Sequence, residues 1–459
     1  MDFKGKKVLV AGSGKSGIAA AKLLLQEGAS VVLQDDNEKL TKEELQERIA
    51  GAAPTQGQSL SFHIGSITPQ AAEGIDCVVL SPGIPTDSEA VMQLKTHNIP
   101  IWGEIELAYA FEKGKVLAIT GTNGKTTTTS LLGEIMQQAV KNVFVVGNIG
   151  NPYTDAVTQT DASSVTIAEI SSFQLETVHA FCPVVSAILN ITPDHLNRHH
   201  TMENYVETKE KIAANQTKQE FCVLNAEDPY LQEYAKQCPA TVVLFSSAHA
   251  LTDGFYYEDG CIYKAKDGKA QRLMHVKEMK LLGLHNVENV MAAIAMADAY
   301  GVPMDDILQA VKQFKAVEHR IEYVATKNGV DYYNDSKGTN PDAAIRGIRA
   351  MEKPTYLIGG GYDKQSTYDE WIESFDGKVV KLVLLGQTRE KIAQCAREHG
   401  FTDYLFVDSL QEAMDYCSSH AKEGEAVLLS PACASWGMFP NYEVRGKMFK
   451  DMVHALKEE

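Results

Sequence analysis

The chain has 459 residues, 44% hydrophobic and 22% charged, the proportions of a folded globular protein rather than a disordered, fibrous or membrane-embedded one. Lys plus Arg number 43 against 60 Asp plus Glu, a formal charge of -17, so no chain-wide basic field gathers a nucleic-acid backbone, and an anionic ligand must be met by local devices. Eight cysteines form no C-x-x-C pair and several sit in apolar runs such as "DCVVLS" and "FCVLN", which predicts reduced, buried thiols in a cytoplasmic protein. The N-terminus carries no apolar signal core, and no apolar stretch reaches the roughly 18-20 residues of a membrane span. Neither a membrane nor a nucleic acid is expected as a partner.

Short apolar runs alternate with helical segments along almost the whole chain, the pattern of parallel α/β sheets. The first block reads strand (Lys7 to Val10), glycine turn, helix (Ser16 to Glu27) and strand (Ser30 to Gln34), ending in Asp35 and Asp36. "CVVLSPGIP" (77-85) is a buried strand leaving through Ser81, Pro82 and Gly83, and "IPIWGEIELAYAF" (99-111) closes this sheet, with a boundary near Gly103. A second block holds strands in "KVLAIT" (115-120), "NVFVVGNIG" (142-150), "SVTIAEISS" (164-172) and "VVSAILNIT" (184-192), then a helix in "GLHNVENVMAAIAMADAY" (283-300). After a break near 316, "EHRIEYVATKNGVDYYNDS" reads as strand and turn, and the rhythm resumes in "TYLIGGG", "VVKLVLLG", "YLFVD" and "AVLLSPA". Three α/β domains in series are expected: a Rossmann-like domain over 1-103, a central P-loop domain over 104-316 and a second Rossmann-like domain over 317-459.

Two glycine loops compete for a nucleotide. "VLVAGSGKSG" spells the dinucleotide fingerprint with Gly12, Gly14 and Gly17 between strand and helix, and Asp35 lies 18 residues past Gly17, as in a nicotinamide dehydrogenase. "LAITGTNGKTTTT" resembles a Walker loop whose first glycine is replaced by Ile119. Its Gly121, Thr122, Asn123, Gly124, Lys125, Thr126 and Thr127 stand between strand and helix, where backbone N-H groups, a lysine and a threonine hydroxyl suit a phosphate with Mg2+. A chain with both loops can bind one nucleotide as cosubstrate and another as part of its substrate.

P-loop enzymes hold their metal with an acid at a neighbouring strand end, and Glu169 closes "SVTIAEI". His195, in "NITPDHLNRHH", is a metal ligand, a charge stabiliser or a plain surface histidine. Asn286 and Asn289 stand three apart near a helix start, suited to a flat heteroatom ring or to capping. "DSKGTNPDA" (335-343) and "GGGYDK" (359-364) place polar groups after strands, where α/β domains bind ligands and where solvated turns also occur.

"GTNGKTTT", "AEISSFQLE", "NITPDHLNRH", "HNVENVMAA", "HRIE", "NDSKGTNP" and "LLSPACAS" occur in the order seen in the Mur ligases, ATP-dependent amide-forming enzymes of bacterial cell-wall assembly, and the resemblance covers essentially the full chain. That family also lacks the first Walker glycine. The resemblance is strongest to its D-glutamate-adding member, which implies UDP-N-acetylmuramoyl-L-alanine and D-glutamate as substrates, ATP, two Mg2+ ions and a monomeric enzyme. It places Lys125 and Thr126 on the ATP phosphates and metal, Glu169 on one metal and His195 on the other. It implies a carbamylated lysine on a metal; of Lys209 and Lys211, Lys209 matches the family's spacing from Tyr205.

The resemblance also puts Asn286, Asn289, Arg320 and Asp335 on the nucleotide. It puts Ser13, Gly14, Lys15, Ser16, Asp35, Asp36, Ser81 and Gly83 on UDP, and Asn148 on the sugar-peptide. Lys337 and Thr339 lie near the reacting carboxylate and incoming amino acid, with Lys364, Thr339 and Ser435 on D-glutamate. Tyr442 stands where the family has phenylalanine, and the Asp-Asn-Pro-Arg signature of the diaminopimelate-adding member is absent.

Overall fold

The computed structural model describes residues 2-51, 54-55, 57-67, 73-315 and 317-457. The break expected near 316 falls on Ala316, outside the described residues. The chain forms two compact units, one of Met1–Val276 with Glu288–Lys312 and one of Lys277–Val287 with Gln313–Glu459.

The first unit contains two sheets. The N-terminal one is parallel, in spatial order Leu60–Ile64, Ser30–Asp35, Lys7–Ala11, Cys77–Leu80, Ile101–Gly103. Its strands Lys7–Ala11 and Cys77–Leu80 are almost wholly buried, which is why they read as unbroken apolar runs. The sheet ends at Gly103, and the rest of the expected closing segment becomes the helix Glu104–Tyr109. Its glycine turn is sterically determined. Gly12 has φ +91°, and a Cβ on Gly17 would sit 1.8 Å from the Gly12 carbonyl oxygen, so the helix Lys15–Gln26 approaches the strand only because position 17 has no side chain.

The second sheet has nine strands. Its parallel core runs Thr241–Ser246, Phe221–Asn225, Val185–Ile188, Lys115–Thr120, Val165–Glu169, Val143–Gly147. Gly254–Glu258, Cys261–Lys266 and Lys269–His275 extend it, joined by antiparallel hairpins. The hairpin turns are Asp259-Gly260 and Asp267-Gly268, all four at positive φ, the Asp-Gly chemistry that matches strand twist. The expected strand 184-192 stops at Ile188, because Leu189 to Thr192 turn aside to bond the Gly121 loop.

Three carboxylates fasten the segment after Gly103 to this second sheet. Glu104 is buried and accepts from Thr154 N and Oγ1 at 2.8 and 3.2 Å. Glu106, also buried, accepts the backbone N-H groups of His179, Ala180 and Phe181 at 2.8, 2.7 and 3.2 Å. Glu112 accepts from Tyr153 and Thr166 hydroxyls, both at 2.8 Å. The donors on Glu106 and Glu112 satisfy both oxygens of each and make them rigid anchors; Glu104 Oε2, in contrast, is buried with no hydrogen-bond partner, and burial pushes that carboxyl above its ordinary range.

The second unit is built on six strands in the order Glu322–Lys327, Val330–Asn334, Ala426–Leu429, Thr355–Gly359, Val379–Leu384, Tyr404–Phe406. Only the first pair is antiparallel, turned by Asn328 and Gly329 at φ +50° and +76°; the other pairings are parallel. The expected α/β architecture is therefore what the chain has, carried among the described residues by three sheets. All eight cysteines are free, and seven are buried. Among the described residues no helix is long and apolar enough to cross a membrane.

Gly17→Ala should cost about 1-3 kcal/mol of stability, as a forced overpacking does, measured by denaturant unfolding against wild type. Unchanged stability would refute the close approach at position 17.

Candidate active site

Ile119 is fully buried and pairs with Glu169 on one side and Ala187 on the other. The Walker position that lacks glycine is thus an ordinary interior strand residue here, and the loop turns only at Gly121 (φ +151°) and Gly124 (φ +87°). Gly124 ends the loop at the N-terminus of the helix Lys125–Ala139, where no side chain caps the first turn. Uncapped N-H groups and the helix dipole make an anion site. A Cβ on Gly124 would lie 2.1 Å from Asn289 Oδ1, so Asn289 packs directly under the loop, and its Oδ1 also accepts from Thr128 at 3.4 Å. Lys125 Nζ folds back onto the carbonyls of Gly121 and Thr122 at 2.8 and 3.0 Å. Thr126 and Thr127 are buried in the first turn.

Asn190, two residues past the end of the strand Val185–Ile188, staples this loop. Its Oδ1 accepts Asn123 N at 2.8 Å, its Nδ2 donates to Asn123 O at 3.1 Å, and its carbonyl accepts Thr122 N at 2.9 Å.

Around the loop the structure places the other three candidate metal residues, Glu169, His195 and Lys209, differently. Glu169 is buried; Oε1 accepts Asn148 Nδ2 at 2.7 Å, while Oε2 is buried with no hydrogen-bond partner. A buried carboxylate oxygen without a donor is what a cation ligand looks like. Asn148, expected on a sugar-peptide, spends its amide on this carboxylate.

His195 has φ +54°, is half exposed, and its ring centroid lies 4.8 Å from that of Phe173. It forms no three-ligand cluster with Glu169: the only His/Cys/Asp/Glu trio with converging ligand atoms among the described residues lies elsewhere. The residues fit a Mg2+ that takes most of its ligands from phosphate and water.

Lys209 is 2% exposed. Burial first, and then the positive charge of Lys125, push its amine well below the ordinary lysine range. Its Nζ lies 4.8 Å from the ring centroid of Tyr205, whose hydroxyl is 3.0 Å from Thr122 Oγ1 in the loop. Lys211 instead donates to the Glu176 carbonyl at 3.3 Å.

In the N-terminal sheet, Asp35 accepts Ser13 N and Oγ at 2.8 and 2.6 Å and Asn37 N at 3.0 Å. Burial works against its charge, but these hydrogen bonds and nearby Arg48 hold its carboxyl below the usual range. Gly14 and Lys15 are exposed at the helix start, Ser16 is half-buried, and Asp36 accepts from Gln34 at 2.6 Å. Ser81 Oγ donates to the Gly12 carbonyl at 3.3 Å, and Gly83 is exposed nearby in the chain. The fingerprint acid is therefore engaged with its own loop.

Arg48 and Arg198 were not singled out from the sequence. Arg48 donates to Ser13 Oγ at 3.2 Å. Arg198 forks onto Glu176 at 3.0 and 2.7 Å and donates to the Ile84 carbonyl at 2.8 Å, lining a cavity of about 620 Å³ with His199, His200 and Lys211.

The second unit gathers the remaining candidates. His319 and Ile321, at φ +66° and +44°, flank Arg320; a β-branched residue in that region is a true outlier of the kind found at functional sites. Asp335 is fully buried, accepts from Ser430 Oγ at 2.6 Å and Ile321 N at 3.3 Å, and burial pushes its carboxyl up to about 7. Lys337 Nζ lies 5.2 Å from the ring centroid of Tyr442. The tyrosine thus offers a ring face, and burial pushes its hydroxyl up to about 12. Thr339 N donates to the Lys337 carbonyl at 2.8 Å. Lys364 Nζ lies 5.2 Å from the ring centroid of exposed Trp436, beside buried Ser435. Asn286 donates to the Leu282 carbonyl at 2.7 Å.

Arg445, buried and not anticipated, donates to Ser336 Oγ and O at 2.9 and 2.7 Å and to Cys433 O at 3.3 Å. It ties the loop of Asp335 and Lys337 to the loop of Ser435.

The chain belongs to the Mur ligase family, a class of ligases with which its phosphate loop without the first glycine agrees. The descriptions "Mur ligase MurD-like, N-terminal domain", "Mur ligase middle domain" and "Mur ligase, glutamate ligase domain" match residues 6-103, 119-297 and 319-433. A protein of Lachnoclostridium phytofermentans named UDP-N-acetylmuramoylalanine--D-glutamate ligase is 57% identical over 459 residues, covering 100% of both chains. One of the same name from Clostridioides difficile is 44% identical over 458 residues, again covering 100% of both. Among solved structures, UDP-N-acetylmuramate-alanine ligase MurC of Thermotoga maritima shares the fold at TM-score 0.60 and 19% identity, over 98% of this chain and 100% of that one. MurF ligase of the same organism, in complex with ADP, shares it at TM-score 0.58 and 16% identity, over 93% and 95%.

Because Asp335 ionises near 7 when folded and near 3.8 when unfolded, the folded state binds the extra proton in between. Its contribution is fully present below about pH 4 and is lost as pH rises through 7, at a slope approaching about 1.4 kcal/mol per pH unit. Asp335→Asn should remove that slope from the pH dependence of denaturant unfolding; an identical slope would place the titration elsewhere.

Proposed function

We propose that this protein attaches D-glutamate to UDP-N-acetylmuramoyl-L-alanine at the expense of ATP, in peptidoglycan precursor synthesis. The observation that carries the reading is the phosphate loop with the partnerless Glu169 oxygen and the buried Lys209 around it; the names of the full-length relatives supply the substrates. A carboxylate does not acylate an amine unaided. The γ-phosphoryl group of ATP passes to the L-alanine carboxylate, giving an acyl phosphate and ADP. The amine of D-glutamate then attacks the acyl carbon, a tetrahedral intermediate collapses, phosphate leaves and the amine proton passes to solvent.

The chain's own contribution is positioning and charge cancellation. The N-H groups of Gly121 to Thr127 and the ammonium of Lys125 hold the transferred phosphoryl group. Thr126, Glu169, His195 and a carbamate on Lys209 are the residues that would hold Mg2+, which when bound supplies neutralisation of the phosphate charge. Lys209 suits carbamylation: a neutral amine attacks carbon dioxide, forms the N-C bond and releases a proton, replacing a disfavoured cation beside Lys125 by an anion.

Asn286, Asn289, Arg320 and Asp335 are assigned to the nucleotide. Lys337, Thr339, Lys364, Ser435 and Tyr442 are assigned to the reacting carboxylate and D-glutamate, whose two carboxylates call for cations and donors. The Ser13 to Ser16 turn, Asp35, Asp36, Ser81 and Gly83 are assigned to UDP, with Asn148 near the sugar-peptide. A dehydrogenase reading of the first glycine loop would leave residues 115-337 without a role.

With UDP-N-acetylmuramoyl-L-alanine and ATP, phosphate release should depend on D-glutamate and not on L-glutamate, L-lysine or diaminopimelate. Lys125→Ala should lower kcat at least about 100-fold while UDP-substrate binding by calorimetry persists. Turnover at the wild-type rate would overturn the assignment. With 13C-labelled bicarbonate, a carbamate carbon signal should appear in the protein, survive Lys211→Arg and vanish in Lys209→Arg; the reverse pattern would move the modification to Lys211.

A further inference from the structure

In the second unit, two short helical faces meet with metal-ligating chemistry that the ligation does not use. Asp369 and Glu373 are four residues apart on the helix Asp369–Glu373, and Cys395 and His399 are four apart at the end of the helix Arg389–Glu398, so each pair lies on one face. His399 Nε2 is 3.0 Å from Asp369 Oδ1, and the Cys395 thiol is hydrogen-bonded to Asp369. One ligand atom from each of Asp369, Cys395 and His399 lies within 4.8 Å of the other two. Bonds of about 2.0-2.3 Å to a tetrahedral ion put its ligands roughly 3-4 Å apart, so small side-chain rotations suffice.

A second, independent feature points the same way. The other ring nitrogen, His399 Nδ1, faces Glu373 Oε1 at 3.5 Å. Metal-bound imidazoles almost always give their second N-H to a carboxylate, which fixes the tautomer and leaves the opposite nitrogen for the ion. Here Glu373 meets the ring nitrogen opposite the one that meets Asp369.

We propose that Asp369, Cys395 and His399 bind a borderline-soft divalent cation of the zinc type, with Glu373 orienting the imidazole and the fourth position open to water. Thiolate and imidazole select such an ion over Mg2+. On binding, the Cys395 thiol and the proton shared by Asp369 and His399 give up hydrogen ions to solvent, and a cation replaces them among three carboxylates, Asp369, Glu373 and Glu398. The ion would join the two helices; Asp369 begins the helix that directly follows the loop carrying Lys364.

The test uses chelator-stripped full-length protein in saturating Mg2+, titrated with Co2+. One equivalent should bind with a thiolate-to-cobalt charge-transfer band, and Zn2+ should displace it. Cys395→Ser should abolish the band, and Glu373→Gln should weaken Co2+ binding about 10-100-fold. His399→Gln should weaken it by at least about 10-fold, with circular dichroism and phosphate-release activity of each variant unchanged. No band with wild type, a band that survives Cys395→Ser, or wild-type Co2+ affinity in His399→Gln would overturn the proposal and leave an ordinary surface ion pair.

Discussion

Two lysines close to one phosphate loop set the electrostatic problem that this site is built around. Lys125 opens the helix that follows the loop, whereas Lys209 is buried, and both burial and the charge of Lys125 oppose a second positive charge. Burial and a like charge thus both disfavour the protonated form of Lys209. The ring of Tyr205 covers its amine while the Tyr205 hydroxyl reaches Thr122, so the state of this lysine and the shape of the loop are mechanically connected. Glu169, with one oxygen satisfied by Asn148 and the other left without a donor, adds a buried carboxylate on the strand paired with Ile119.

The loop's departure from the Walker pattern follows from the sheet. A glycine at 119 would be useful only if the chain began to turn there, but Ile119 is paired on both sides inside a parallel sheet. The turn is delayed to Gly121, and Asn190 then supplies, from the segment that follows the neighbouring strand, the restraint that a longer glycine-rich loop obtains from its own backbone.

Much of this was legible in the sequence, unevenly. Buried parallel strands are apolar runs, so Lys7–Ala11, Lys115–Thr120 and Val165–Glu169 stood out, as did Gly12 and Gly121 after the first two. The hairpins of 254-275 carried their signal in Asp259-Gly260 and Asp267-Gly268, yet alternating polar strands at a sheet edge are easily read as loop. Asn190, Arg198 and Arg445 were not legible in their roles. Each acts across sequence separations of 12 to 114 residues, and a polar residue's partner at that range is set by topology rather than by local pattern. Lys209 sits among Glu207, Thr208 and Glu210, a string that suggests a solvated helix; only its family spacing singled it out, and only the fold buries it. Nor did any composition change announce that Lys277–Val287 packs with the later part of the chain.

The carboxylates of Glu104, Glu106 and Glu112 have a consequence for selectivity. They rivet the exit of the first sheet to the loops and helices of the second, which removes the play that a free linker would allow. Under the proposed assignment, one end of the donor molecule rests on the first sheet and its reacting carboxyl must arrive at the second. A riveted joint then works as a ruler: it judges the donor by its span, and a molecule one residue too long or too short is misplaced at the phosphate loop however well its nucleotide end is held.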